Sequence, residues 1–228
     1  MGGLKRKRIL IYSSCRIIEV AIKFLCLNGI KHDIVAEESL DINLLFSRIK
    51  ENKIDYVVLD IKPTRFLYDL YCLRMTFPEL PVIFIQERFN FVDSIISRFF
   101  GGVWLKEYDA ILAGWPRVNL IEHVSNKMFS GTDMTCCFYA FMKNEIINKQ
   151  VFFECLREWI DSRLAGLILQ KRDREVYFYI AISGLEVRDI AIKLKVSNQV
   201  VYSCRRNIIN VIGDDSCRKK ILNEFKCD

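Results

Sequence analysis

Histidine is nearly absent from this chain. His32 and His123 are the only two in 228 residues. An imidazole base or metal ligand therefore has few places to sit, and both residues read as partly buried or surface side chains. The motifs G-x-S-x-G, Walker A and H-E-x-x-H are also missing. Nothing brings a nucleophile and a base together in sequence. The expectation is a protein that is not an enzyme, with no catalytic residue, no metal and no cofactor. No apolar run reaches ~18 uninterrupted residues, so no transmembrane helix is predicted and no membrane partner is expected. The basic start Lys5-Arg6-Lys7-Arg8 is followed by an apolar run that stops at Tyr12-Ser13-Ser14, too short for a signal peptide. The nine cysteines lack paired C-x-x-C spacing, and adjacent Cys136-Cys137 have no histidine cluster nearby. Reduced thiols in a cytoplasm are expected, rather than zinc sites or disulfides.

What the chain does have is apolar substance. Hydrophobic residues make up 51%, with 16 Phe and 9 Tyr, enough for real cores. The length suggests two domains. Charge is uneven: from Arg163 to the end there are 13 Lys/Arg against 8 Asp/Glu, and the first 162 residues hold 21 against 20. Most of the net charge of +6 thus sits in the last 66 residues, a bias that suits a phosphate backbone. An anionic membrane would also attract it, but no basic amphipathic stretch with an open apolar face is present.

The first half alternates strand and helix signals. Arg8–Tyr12, Asp33–Ala36, Tyr56–Leu59, Pro81–Ile85 and Gly102–Leu105 read as strands. Ile17–Leu27, Asn43–Asn52, Arg65–Thr76 and Phe91–Phe100 read as helices, the first ending at a good C-cap, Asn28-Gly29. Continuous apolar strands alternating with helices imply a parallel five-stranded sheet covered on both faces. Ligands in such folds sit at the carboxyl ends of the strands.

Near the end, Gly184 to Ile209 reads as two short helices joined by a tight turn. Leu185, Ile190, Ala191 and Leu194 form an apolar stripe in the first. The second is predicted over Val196–Ile212, with Ser197 as its cap. Val201, Cys204, Ile208 and Ile212 recur every three or four residues as its buried face. Asn198, Gln199, Tyr202, Ser203, Arg205, Arg206 and Asn210 are left outward. These types hydrogen-bond base edges and phosphates, and none is acidic. A helical hairpin with a merely solvated basic face has the same periodicity, so the pattern alone leaves both readings open.

From Gly184 to Gly213 the stretch resembles the helix-turn-helix of the LuxR/NarL class of bacterial transcription regulators. Gly184, Leu185, Ile190, Ala191, Leu194, Ser197, Val201, Asn207, Ile208 and Gly213 fall on that pattern without a gap. Val200 stands where Thr is usual, Tyr202 where Lys is, and Cys204 where His is. The run Val201 to Asn207 is most similar to the divergent RcsA/EcpR-like enterobacterial branch. Asp173-Arg174-Glu175-Val176 resembles the usual opening of the domain's first helix. The resemblance places DNA contacts on Tyr202, Ser203 and Arg206. The outward face adds Asn198, Gln199 and Arg205.

Residues 1–133 resemble a response-regulator receiver domain, a flavodoxin-like fold. Tyr56-Val57-Val58-Leu59-Asp60 matches the strand carrying the phospho-accepting Asp. Gly102-Val103-Trp104-Leu105-Lys106 matches the strand ending in the phosphate-binding Lys. Past an insertion over residues 107–118, Asn119–Gly131 resembles the last helix. However, Ser13-Ser14 occupy the positions of the acidic pair that holds Mg²⁺, a hard cation that wants carboxylate oxygens, and Gln86 stands for the usual Ser/Thr. Without that ion phosphoryl transfer fails. Asp60 and Lys106 are expected to be an inactive, structural ion pair in a pseudo-receiver.

The domains expected are therefore 1–133 (receiver-like), 134–162 (helical linker) and 163–228 (all-α, LuxR-type, DNA-binding). The linker is apolar, with Phe138, Phe141, Phe152, Leu156 and Trp159, and has no Gly/Pro-rich tether. It is expected to be packed, either as core or as part of a dimer seam. The resemblance implies a cytoplasmic bacterial regulator, associated with the nucleoid when bound. Its implied partners are double-stranded DNA, a second copy or another regulator, and RNA polymerase. Two further classes stay open: a co-regulator acting mainly by heterodimerising with another response regulator, and a signal-receiving enzyme or small-molecule sensor.

Overall fold

The computed structural model of the chain describes residues 7–27, 33–37, 41–114, 120–121, 147–165 and 170–213. Five short strands are laid down in the first half: β1 (Arg8–Ser13), β2 (Asp33–Glu37), β3 (Tyr56–Asp60), β4 (Val82–Gln86) and β5 (Val103–Glu107). All pair in parallel, in the order β2-β1-β3-β4-β5. In β1, Ile9, Leu10 and Ile11 are fully buried, as are Val57, Val58 and Leu59 of β3 and Val82 to Ile85 of β4. Strands that bury both faces need helices on both sides. The order is that of flavodoxin-like doubly wound sheets, whose topological switch point lies between β1 and β3. The register sets Ser13 opposite Asp60 at the carboxyl ends of these two strands.

The intervening helices are α1 (Arg16–Leu27), α2 (Ile42–Asn52), α3 (Leu67–Thr76), α4 (Phe91–Phe100) and α5 (Tyr108–Gly114). Their starts follow local chemistry. The Asp41 carboxylate accepts from the Asn43 and Leu44 amides at 2.7 and 3.2 Å and opens α2. Asn90 and Asp93 form a reciprocal capping box on α4. Before α3, Pro63–Arg65 makes a 3₁₀ turn, so that helix begins at Leu67 and not at Arg65. α5 lies inside the segment expected as an insertion. Leu120 and Ile121, from the expected last helix, are helical and buried in the core beside Ile9, Ile22 and Trp104. The rest of that helix, and the Asn28-Gly29 cap, lie outside the described residues.

The chain divides into two units, Met1–Glu145 and Ile146–Asp228. The second is helical: α6 (Lys149–Leu164), α7 (Lys171–Ala181), α8 (Val187–Leu194) and α9 (Asn198–Gly213). α6 covers the later part of the expected linker. It starts where the Asn148 side chain accepts from the Val151 amide at 3.0 Å, and it buries Phe152, Leu156, Trp159, Ile160 and Leu164 at helical spacing. It packs on α7, where Arg174 Nε reaches Asp161 Oδ1 at 2.6 Å. Phe138 and Phe141 lie outside the described residues. Among the described residues no helix is long and apolar enough to cross a membrane.

Candidate functional site

Two places carry the residues singled out by the sequence. The first is the carboxyl edge of the sheet, at the switch point. Asp60 ends β3 half-buried. Ser13 Oγ donates to its Oδ2 at 2.6 Å, and Gln86 Nε2 and Tyr108 Oη donate to its Oδ1 at 2.9 and 2.8 Å. The Cys15 amide in turn donates to Ser13 Oγ at 3.1 Å, fixing that hydroxyl at the end of β1. Burial raises the Tyr108 phenol well above its ordinary range, and the hydrogen bond to Asp60 raises it further. Tyr108 therefore stays protonated and remains a donor.

This geometry holds the Asp60 carboxylate with three neutral donors. A magnesium ion does not fit here, because the residue paired with Asp60 across the sheet offers a hydroxyl where a second carboxylate is needed. Among the described residues no group of three or more His, Cys, Asp or Glu is arranged to hold a metal. Lys106 lies on β5 opposite Ile85. Sequence reasoning anticipated Ser13 and Gln86 at this edge but missed Tyr108. The available signal was its position directly after β5, where the chain leaves the same edge.

The second place is the pair α8–α9. α8 ends at Lys195, which takes a left-handed conformation (φ 53°) and returns its amide to the Ala191 and Ile192 carbonyls. Val196 and Ser197 cross to the next helix, and the Ser197 hydroxyl accepts from the Val200 amide at 3.4 Å. The helix predicted from Val196 thus begins at Asn198, because Val196 and Ser197 are the turn itself. Leu185 precedes α8, which starts at Val187.

α9 has two contrasting sides. Val201, Cys204 and Ile208 are 0%, 5% and 6% exposed, while Ile212 is half-buried. Asn198, Gln199, Tyr202, Ser203, Arg205, Arg206 and Asn210 are all exposed. At about 100° per residue, Gln199, Tyr202, Ser203, Arg206 and Asn210 lie on the side opposite the buried seam, while Asn198 and Arg205 flank it. The helix contains no acid. Its seam rests on α7, where buried Asp173 accepts from the Asn207 amide group at 3.5 Å. Burial, and then a hydrogen bond to Asp173, push the Cys204 thiol up to about 11. Asp173 was legible only as a helix opening; its grip on α9 spans 34 residues and has no local signature.

No family model matches the chain, and no curated protein matches it. Solved structures similar to it include the RcsB response regulator of Salmonella typhimurium, at 16% identity over 97% of this chain and 100% of that one, TM-score 0.48. Another is a structure of two RcsB dimers bound to two parallel DNAs, at 18% identity over 96% and 99%, TM-score 0.49. A third is full-length FixJ from B. japonicum, at 15% identity over 97% and 98%, TM-score 0.41.

Proposed function

We propose that the protein is a bacterial, cytoplasmic DNA-binding transcription regulator whose α9 enters the major groove, and that it works without phosphorylation of Asp60. The observation that carries the reading is the split of α9: a buried seam of Val201, Cys204 and Ile208, and opposite it an exposed, acid-free row of Gln199, Tyr202, Arg206 and Asn210. A helix held by its own domain on one side and offering amide, phenol and guanidinium groups on the other has the form needed to read base edges. The LuxR-type motif resemblance covers the same residues. Arg206, at the centre of the outward row, is assigned to a base; Arg205, on the flank, to a phosphate. Tyr202, where the class has Lys, offers an aromatic face to a thymine methyl.

The test is binding of the purified full-length protein to the fragments recovered by genome-wide mapping of its DNA sites. The double variant Arg205→Ala/Arg206→Ala should bind more weakly, by about 1–3 kcal/mol for each base it no longer reaches, and its salt slope should be shallower where it no longer holds a phosphate. Unchanged affinity would remove α9 from the interface. A second reading, a co-regulator that binds DNA chiefly as a heterodimer with another response regulator, draws support from the Asp60 site. A receiver fold whose carboxylate is already taken by Ser13, Gln86 and Tyr108 needs another source of control. Gel shift with and without candidate partner regulators separates the two.

A further inference from the structure

Tyr202 and Ile209 are 56% and 57% exposed on α9. They are nearly two helical turns apart, so they stand within about 20° of one line and about 10.5 Å apart along the axis. The seam of Val201, Cys204 and Ile208 faces elsewhere, and neither Tyr202 nor Ile209 is needed to hold α9 in its domain. The exposed residues around them are amides, a hydroxyl and the guanidinium groups of Arg205 and Arg206. A solitary exposed apolar side chain is ordinary. Here two share one line of an otherwise polar, acid-free face.

Ile209 lies one turn beyond Arg205 and Arg206, at an angle between theirs. On the DNA-binding reading, Arg205 addresses a phosphate and Arg206 a base, so Ile209 faces the strip of groove between base edge and backbone. Its side chain can neither donate nor accept a hydrogen bond there. The apolar feature that the major groove offers is the methyl group at C5 of a pyrimidine, carried by thymine and, on the same atom, by 5-methylcytosine. That methyl projects from the base edge toward the same strip. A β-branched side chain keeps one preferred χ1 rotamer in a helix. The methyl groups of Ile209 are therefore positioned before DNA arrives, and contact costs them little freedom.

We propose that Ile209 is a specificity-determining residue that packs on the C5 methyl of a pyrimidine, while Tyr202 packs on a second one. At about 3.4 Å of rise for each base pair, the two methyl groups stand about three base pairs apart. This role rests on α9 lying in the major groove, and it adds a base position to those addressed by the polar row.

The full-length protein is titrated with a DNA site recovered by genome-wide mapping, each thymine replaced in turn by uracil. Uracil lacks the methyl group and pairs as thymine does. Wild type should lose affinity about fourfold at each of two positions about three base pairs apart, the worth of one buried methyl. Ile209→Ala should bind the thymine and uracil forms alike at one of these positions and keep the preference at the other. Its melting temperature should match wild type, because residue 209 is exposed. Thymine at the Ile209 position of the mapped sites makes thymine the natural source of the methyl. Cytosine there, bound about fourfold more tightly by wild type when methylated at C5, makes it 5-methylcytosine. If Arg205→Ala/Arg206→Ala binds more weakly, but no uracil or 5-methylcytosine position separates wild type from Ile209→Ala, α9 is in the groove and Ile209 reads no methyl. If the double Arg variant binds as wild type does, Ile209 loses this role together with the groove reading.

Discussion

Gly102 lies between α4 and β5 at φ +57°, and a Cβ there would stand 2.9 Å from Nη2 of Arg74. Arg74 is 1% exposed and gives its Nη1 to the Leu80 carbonyl at 3.0 Å. It has no room to withdraw. Gly102→Ala combines left-handed backbone strain with overpacking and should destabilise the first unit by about 2 kcal/mol, read from denaturant unfolding. At Asp60 the expected outcome is chemical. Acetyl phosphate with Mg²⁺ should leave the side chain unmodified, because Ser13 replaces the carboxylate that the ion requires and three donors already occupy the acceptor oxygens. Stoichiometric aspartyl phosphate in a mass spectrum would contradict this. Ser13 and Gln86 were legible in sequence because each follows a buried strand at a countable distance. Tyr108 was not, since its link to Asp60 spans 48 residues and depends on how the chain turns after β5.

At the scale of elements, the strands were the easiest part to read. β1, β3 and β4 are apolar at nearly every position, which only burial on both faces explains. Helix ends were harder, being set by single caps such as Asp41 and Asn148. α1 shows the limit clearly. Its apolar residues occupy two faces, and sequence periodicity marks both alike; the sheet decides that Ile22 and Cys26 go in while Ile17 and Phe24 stay out. α1 also has an acid-dependent link. The hydrogen bond from Lys23, with help from Arg16, holds the Glu19 carboxyl below its ordinary value of 4.5 despite burial. A lowered folded-state value means the stabilisation is complete above 4.5 and is lost as pH falls through the lowered value. Glu19→Gln should therefore be less stable than wild type at neutral pH, and the difference should shrink below pH 4.5 in pH-resolved melts. On α9, Cys204 is buried and its thiol raised to about 11, so it should react slowly with thiol reagents in the native protein. Rapid labelling would mean that the buried seam is not where Val201 and Ile208 place it.

For the whole molecule, the sequence conveyed a parallel sheet followed by a helical unit carrying most of the excess positive charge. That charge argues for phosphate affinity but is silent on base sequence. On the proposed reading, specificity comes from the row on α9, where Gln199 and Arg206 stand two turns apart on one line of the helix. The most direct measurement is a panel of single base-pair substitutions across the best DNA site, bound by wild type and by Arg206→Ala at fixed salt. With α9 in the groove, Arg206→Ala loses discrimination of about 1–3 kcal/mol at one base pair in each half-site and keeps it at the others. A variant that discriminates at every position as wild type does would contradict the reading of α9 as the helix in the groove.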